Sequence, residues 1–422
     1  MIDNDSRNKK GVRQAAITGL GIISSLGCNL DETSDSLRNG RSGIVFDEER
    51  RRLGFRSCLT GQVRGFNPKR YGFSHKLLRT MCEPAQYAYA ASLDAVKDAN
   101  LTEQLRSSGR CGIVFGNDSC VKPGVESVDV VRAKGATHFI GTGHIFRTMN
   151  STVTMNLAVA LGIRGANWTL SAACASGSHA IGQALMLIRA GLQDIVIAGG
   201  AQETNWQSMA SFDALGAFST RHDKPQAASR PFDRDRDGLV PSGGAACLII
   251  EELSHARARG AKIYGIVCGY GFASDGSKHL FFPSEDGAIR AMKMAIDDAE
   301  VNPADIDYIN AHATSTHVGD LVEANAVKKV FGTSTRVSST KSMTGHECWM
   351  AGASEVLYTT LMARDGFIAP NLNFVKLDDE CPPIRIVGKT ESSPIKLAVS
   401  NSFGFGGTSS TLVLDFRQAS KA

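Results

Sequence analysis

The sequence predicts an α/β fold made of two pseudo-equivalent halves, and three observations carry that prediction. Short apolar runs of strand length alternate with stretches of helical periodicity, the pattern of a mainly parallel sheet covered by helices. The second half of the chain restates the first. Small-residue or glycine-rich turns follow several strands, where α/β folds gather their chemistry. With 422 residues, 42% hydrophobic and 21% charged, the chain is long enough for one large or two medium cores.

In chain order, residues 1–14 read as a polar tail without an apolar signal core. Ala15-Ala-Ile-Thr-Gly-Leu-Gly-Ile-Ile23 reads as a strand entering a glycine-rich turn. Gly19 and Gly21 are part of a dinucleotide fingerprint, but no third glycine opens a helix, so a nucleotide site is not expected. Residues 44–80 are basic and loop-rich, and 85–99 read as a helix. Cys111-Gly-Ile-Val-Phe-Gly116 is a short buried strand, followed by an irregular segment to about residue 150. Residues 168–172 lead into a helix beginning near Cys174, and Asp194-Ile-Val-Ile-Ala-Gly-Gly200 is another buried strand. Residues 263–271 then echo the opening strand, 306–310 the strand at 111, and 337–340 the run 168–172, while 246–250 is matched by 410–414. A repeat this long implies two halves sharing one core, 15–257 and 258–422, joined through the basic, polar stretch 252–262. In this registration Thr344-Gly-His346 matches Ala172-Ala-Cys174, which sets a nucleophile and a histidine on symmetry-related turns.

Composition excludes several classes. The net charge of +4 comes from interspersed acids and bases, so no nucleic-acid groove is expected. Ten cysteines at 28, 58, 82, 111, 120, 174, 247, 268, 348 and 381 form no CxxC pair, which fits reduced thiols in the cytoplasm. No apolar run reaches membrane-spanning length.

Cys174 lies in a turn of small residues, Ala172, Ala173, Ala175, Ser176 and Gly177, ahead of apolar positions at helical spacing. A helix N-terminus there is expected to favour thiolate over thiol. A lone free cysteine is more often a buried structural residue, so the rest of the chain must decide. Three clusters follow strands in the second half: Asn310-Ala-His-Ala-Thr-Ser-Thr316 with Asp320 and Glu323, Ser339-Thr-Lys-Ser-Met-Thr-Gly-His346, and Ser400-Asn-Ser-Phe-Gly-Phe-Gly-Gly-Thr408. With Cys174 they make one nucleophile, two imidazoles and a flexible backbone loop, a set suited to acyl transfer through a thioester.

On these motifs, and on Ser229-Arg-Pro-Phe-Asp-Arg-Asp-Arg-Asp-Gly238 in the same order, the chain resembles the β-ketoacyl-acyl-carrier-protein synthases over residues 15–416. The resemblance implies a thiolase fold, two α/β halves packed as a layered αβαβα core. It also implies that Cys174 takes an acyl group from a carrier-protein thioester, with the N–H groups of Cys174 and Phe405 as the oxyanion hole. His312 and His346 would hold the malonyl thioester carbonyl during decarboxylation, which neutral imidazoles do without protonating the enolate. Lys341 is expected to pair with Glu323 and fix the His312 loop, with Asp320 in support. Thr314 and Thr316 would hydrogen-bond the pantetheine arm, and Phe405 would gate the acyl chamber. By the same likeness Asn310, Glu355, Ser400 and Asn401 would enclose a structural monovalent cation. No other cofactor is expected, since the substrates ride on the carrier's phosphopantetheine.

The resemblance further implies a homodimer pairing residues 167–170 with their copy, and carrier docking on Lys76, Arg79, Arg132 and Lys134. Ser119, Phe212, Cys348 and Phe405 would line the acyl chamber. Ser119, small where a bulky residue would block the tunnel, argues for medium or longer chains, flat conjugated ones included. Departures from the family pattern are Ala313, His317 and, above all, Glu347-Cys-Trp-Met350; the Trp349 indole is expected to pack against the core and reshape the helix backing. Other readings fit less well. A thiolase needs a second catalytic cysteine, an initiating condensing enzyme usually has Asn in place of His346, and a non-catalytic chain-length partner lacks the nucleophile. A cysteine hydrolase needs one imidazole and admitted water. Fatty-acid elongation and a dedicated type II polyketide or aryl-polyene pathway remain.

Overall fold

The computed structural model describes residues 11–276, 280, 281 and 283–420; residues 1–10 of the polar tail lie outside it. Ten strands of its large sheet fall into two sets of five. The first comprises Ala15–Ile23 (β1), Cys111–Gly116 (β2), Asn167–Leu170 (β3), Ile195–Gln202 (β4) and Gly244–Glu252 (β5), in spatial order β1-β5-β4-β2-β3. The second comprises Gly265–Ser274 (β6), Tyr308–Asn310 (β7), Arg336–Ser338 (β8), Leu397–Gly404 (β9) and Thr408–Asp415 (β10), in the matching order β6-β10-β9-β7-β8. The sets meet where Ala15–Ile17 of β1 pairs with Gly265–Val267 of β6.

The expectation of a mainly parallel sheet is corrected. Around the centre, β5 pairs antiparallel with β1 and β4, and β10 pairs antiparallel with β6 and β9. Parallel pairing is confined to the flanks, β4-β2-β3 and β9-β7-β8. A strand buried on both faces reads as an apolar run whichever way its neighbour runs, so composition alone does not carry direction.

The helices are Glu83–Asp98 (α1), Val121–Lys134 (α2), Thr152–Leu161 (α3), Ser176–Arg189 (α4), Trp206–Leu215 (α5), Glu285–Ala299 (α6), His317–Phe331 (α7) and Ala351–Asp365 (α8). α4 and α8 pack on each other and on strands of both halves, while α1 covers β1 and β5 and α6 covers β6 and β10. The layers therefore run helix, sheet, helix, sheet, helix. Glycines set the outer spacing: a side chain at Gly21 would strike the Ala91 carbonyl of α1, and one at Gly271 the Ala291 carbonyl of α6. The Gly-x-Gly of β1 is thus a helix-docking surface, repeated in β6. The segment after β2, read as irregular, contains α2. Pro123 and Gly124 in its first turn, and valines left partly exposed at 125 and 128, hide its periodicity.

The repeat also needs a new registration. A short turn of 3-10 helix precedes each central helix, Ala173–Ala175 before α4 and Cys348–Met350 before α8. Each opens on a residue with positive φ, Ala173 at 45° and Cys348 at 44°. The counterpart of Cys174 is therefore Trp349, and His346 lies three residues earlier. The two turns pack together at the centre, where a side chain at Gly177 would meet the Ala353 nitrogen and one at Gly352 would meet Ser178.

Candidate active site

The turn that carries Cys174 is tied at both ends. Ser176 Oγ accepts from the Ala172 N–H at 2.8 Å and donates to the Ala173 carbonyl at 2.7 Å. Asp118 accepts from the Ala173 N–H at 3.2 Å and from the Ser171 hydroxyl. These bonds hold Ala173 in a conformation that costs a non-glycine residue about 1 kcal/mol or more. Asp118 was not singled out in the sequence; nothing short of the fold relates it to residue 173.

Cys174 is 5% exposed, and its Sγ lies 3.0 Å from His346 Nε2. The backbone N–H groups of Phe405 and of Cys174 itself face the sulfur. The expected thiolate is corrected: burial pushes the thiol up to about 12, against the opposing pull of Lys341. Desolvation outweighs the Lys341 charge and the two N–H groups that face the sulfur. His312 stands edge-to-face with His346, ring centres 5.2 Å apart. Burial, then the Lys341 charge, holds both imidazoles well below the ordinary histidine range, so both are neutral.

The buried ion pair differs from the expectation. Lys341 pairs with Glu355 of α8 rather than with Glu323, the two side chains 2% and 1% exposed. Glu323, on α7, does fix the His312 loop: it accepts from the His312 N–H at 2.9 Å, the Ala313 N–H at 2.6 Å and Asn401 Nδ2 at 3.0 Å. Burial raises Glu323 to about 7 and Glu355 to about 8. Lys341→Met is accordingly expected to cost about 1–3 kcal/mol, because the buried Glu355 carboxyl loses its hydrogen-bond partner, read as a lower denaturation midpoint. Glu323→Gln should instead loosen the His312 loop, seen as faster amide exchange there.

The threonine loop has its own supports. Asp320 accepts from the N–H groups of Ser315 and Thr316, and burial lifts its carboxyl to about 6. Arg236, which the sequence reading quoted only inside a motif, donates to the carbonyls of Thr316 at 3.0 Å and His317 at 2.8 Å. Thr314 and Thr316, their hydroxyls 3.1 Å apart, face a cavity of about 420 Å³. That cavity also holds Cys174, both histidines, Phe212, Cys348 and Phe405. Phe405, 37% exposed, stacks on Phe212 at 6.2 Å beside Gly406 and Gly407.

Ser119 is not part of that cavity. Its hydroxyl accepts from Trp349 Nε1 at 3.1 Å, so the indole occupies the room its small side chain leaves. Trp349 packs in one apolar cluster with Cys174, Met209, Phe218, Leu239 and Cys348. Lys76, Arg79, Arg132 and Lys134 are all exposed. Arg79 bonds Thr142 at 3.2 Å, which ties the first pair to the loop after α2.

The residues named for a cation fit one in donor type. Glu355 Oε2 and Ser400 Oγ are buried without a hydrogen-bond partner. Asn401 Oδ1 accepts from Thr411 at 2.9 Å and keeps a second lone pair, whereas Asn310 Oδ1 accepts long bonds from both the N–H and the hydroxyl of Thr340. Hard oxygen donors of this kind suit a hard cation. Among the described residues no group of three or more His, Cys, Asp or Glu is placed to hold a metal.

Comparison with known families agrees with this geometry. Residues 13–256 match the beta-ketoacyl synthase N-terminal domain and residues 264–375 its C-terminal domain. The chain belongs to the beta-ketoacyl synthase family. It is 44% identical over 406 residues to 3-oxoacyl-[acyl-carrier-protein] synthase 1 of Haemophilus influenzae, covering 95% of this chain and 98% of that one. A beta-ketoacyl synthase from Burkholderia phymatum superposes with a TM-score of 0.91 at 34% identity, over 96% of this chain and 100% of the other. A ketosynthase in complex with its type II polyketide-synthase acyl-carrier protein, bound to the hexaketide, gives 0.86 at 31% identity, covering 96% and 99%. The fold is the thiolase fold, and this beta-ketoacyl synthase is a condensing enzyme, an acyltransferase.

Proposed function

We propose that the protein elongates fatty-acyl chains by joining an acyl group, held on Cys174, to a malonyl unit, both delivered by acyl carrier protein. The observation that carries this reading is the contact of Cys174 Sγ with His346 Nε2 beside His312, in a cavity open past Thr314 and Thr316. The sulfur attacks the acyl thioester and its proton passes to the departing pantetheine thiolate, with His346 placed to relay it. The N–H groups of Cys174 and Phe405 stabilise the tetrahedral oxyanion. Malonyl thioester then loses carbon dioxide. His312 and His346 donate N–H bonds to the enolate oxygen, and the α-carbon attacks the acyl-cysteine. Collapse expels Cys174 as thiolate, which takes a proton from solvent and returns to the thiol. The balance is acyl-carrier, malonyl-carrier and one proton to 3-oxoacyl-carrier, carbon dioxide and free carrier. Thr314 and Thr316 hold the pantetheine amides, Phe405 gates the chamber, and no cofactor enters a step. A monovalent cation at Asn310, Glu355, Ser400 and Asn401 would supply structural charge only.

The test is reconstitution with acyl- and malonyl-carrier proteins. An acyl mass on Cys174 and release of carbon dioxide with a 3-oxoacyl product are expected; product without a cysteine adduct would overturn the reading. A dedicated polyketide or polyene pathway is a second reading, favoured by the aromatic lining of the cavity, where the Phe212 ring lies near-parallel to those of Phe218 and Phe405 with interplanar angles of 14° and 23°. Competition between carrier proteins of the two kinds decides between them.

The docking surface is Lys76 and Arg79 with Arg132 and Lys134, facing an acidic carrier. Charge reversal of the first pair should raise KM for carrier-bound substrate several-fold and scarcely change KM for a pantetheine mimic. Equal effects on both substrates would count against docking there. The working form is a homodimer paired through β3. Its edge position, and exposed Trp168, Phe139, Ile145 and Val159 nearby in the sequence, support this. Light scattering that reports an active monomer would overturn it. The cytoplasm is the proposed compartment, which the ten free cysteines support; among the described residues no helix is long and apolar enough to cross a membrane.

A further inference from the structure

Trp349 stands across the pseudo-two-fold from the nucleophile. Its turn has the same length and the same positive-φ opening residue as that of Cys174, and the two turns pack together. A side chain at that position is directed to the shared centre, as the cysteine is. Trp349 is 6% exposed and shares the apolar cluster of Cys174. Two contacts hold it: Nε1 donates to Ser119 Oγ at 3.1 Å, and the Phe212 ring lies 6.1 Å away on another side. Swinging the indole aside would leave its buried N–H unpaired. The open volume beside Cys174 runs toward the mouth, past Phe281 and Thr316, and neither Ser119 nor Trp349 borders it.

We propose that Trp349, tethered to Ser119, fills the space behind the inner wall that Cys348 and Phe212 form, closes the acyl pocket there and limits the enzyme to short acyl chains. The inference rests on the acyl-Cys174 reading and gives its substrate class. It reverses the expectation drawn from Ser119: the small residue makes space for the indole, and the indole takes the space a longer chain needs. Ser119→Phe alone would now overpack this wall rather than trim a tunnel.

The experiment loads the full-length protein with butanoyl- and dodecanoyl-carrier thioesters and reads the two Cys174 adducts by intact mass. The parent should carry mainly butanoyl. Trp349→Gly should raise the dodecanoyl-to-butanoyl ratio by about tenfold or more, and Trp349→Leu, which keeps an apolar filler, should move it the same way by less. Ser119→Phe added to Trp349→Gly should return bulk from the opposite side and bring the ratio back down. A parent that loads both chains equally, a parent-like ratio in both Trp349 variants, or a double variant that stays open would each overturn the proposal. A parent with no adduct on Cys174 from either chain would instead fail the acyl-cysteine reading, and this inference with it.

Discussion

Cys174→Ala is expected to abolish acyl-enzyme formation and to lower condensation by at least about 10⁴-fold, while malonyl-carrier decarboxylation continues. The split follows from the geometry. In the proposed mechanism the sulfur forms the acyl bond, whereas decarboxylation needs the enolate oxygen held by His312 and His346, both untouched by the substitution. Persisting decarboxylation also shows that the variant is folded. An acyl mass on the alanine variant would remove Cys174 as the nucleophile. A second measurement uses the burial of the thiol, which pushes its pKa up to about 12. Because the raised value keeps sulfur protonated, alkylation of Cys174 by iodoacetamide should be slow and show no inflection between about pH 6 and pH 9. An inflection in that window would mean that the thiolate is stabilised at rest after all.

The histidine variants should separate the two half-reactions, and unequally. His312→Ala is expected to lower malonyl decarboxylation by about 10²–10³-fold with acylation largely kept, because His312 touches the other imidazole rather than the sulfur. His346→Ala should lose decarboxylation to a similar degree and slow acylation too, since Nε2 lies 3.0 Å from Sγ. Decarboxylation measured with malonyl-carrier alone, and acylation measured by mass with acyl-carrier alone, separate the steps. Equal loss of both half-reactions in both variants, with far-UV and near-UV circular dichroism unchanged, would contradict the division of labour.

Much of the site was legible because it is local in sequence. The small residues around Cys174, the His-x-Thr-x-Thr run at 312–316 and the stretch ending at His346 each sit on one turn after one strand, so spacing alone groups them. The repeat was legible too, because matched strands bury matched apolar runs. Pairing direction was not, since an apolar strand between two helical layers has the same composition in either orientation. Ionic partners were also out of reach. Lys341 is paired with Glu355 of α8 and not with Glu323 of α7, a packing relation no spacing encodes. The thiol's protonation depended on how completely the layers exclude water. Residue types and their order along the chain thus determined the fold class and the chemical groups brought to bear. Only the tertiary structure decided that Trp349 faces Cys174 and fills the room beside Ser119, because that outcome depends on the registration of two packed halves, and volume left by a small residue belongs to whichever neighbour the packing brings there.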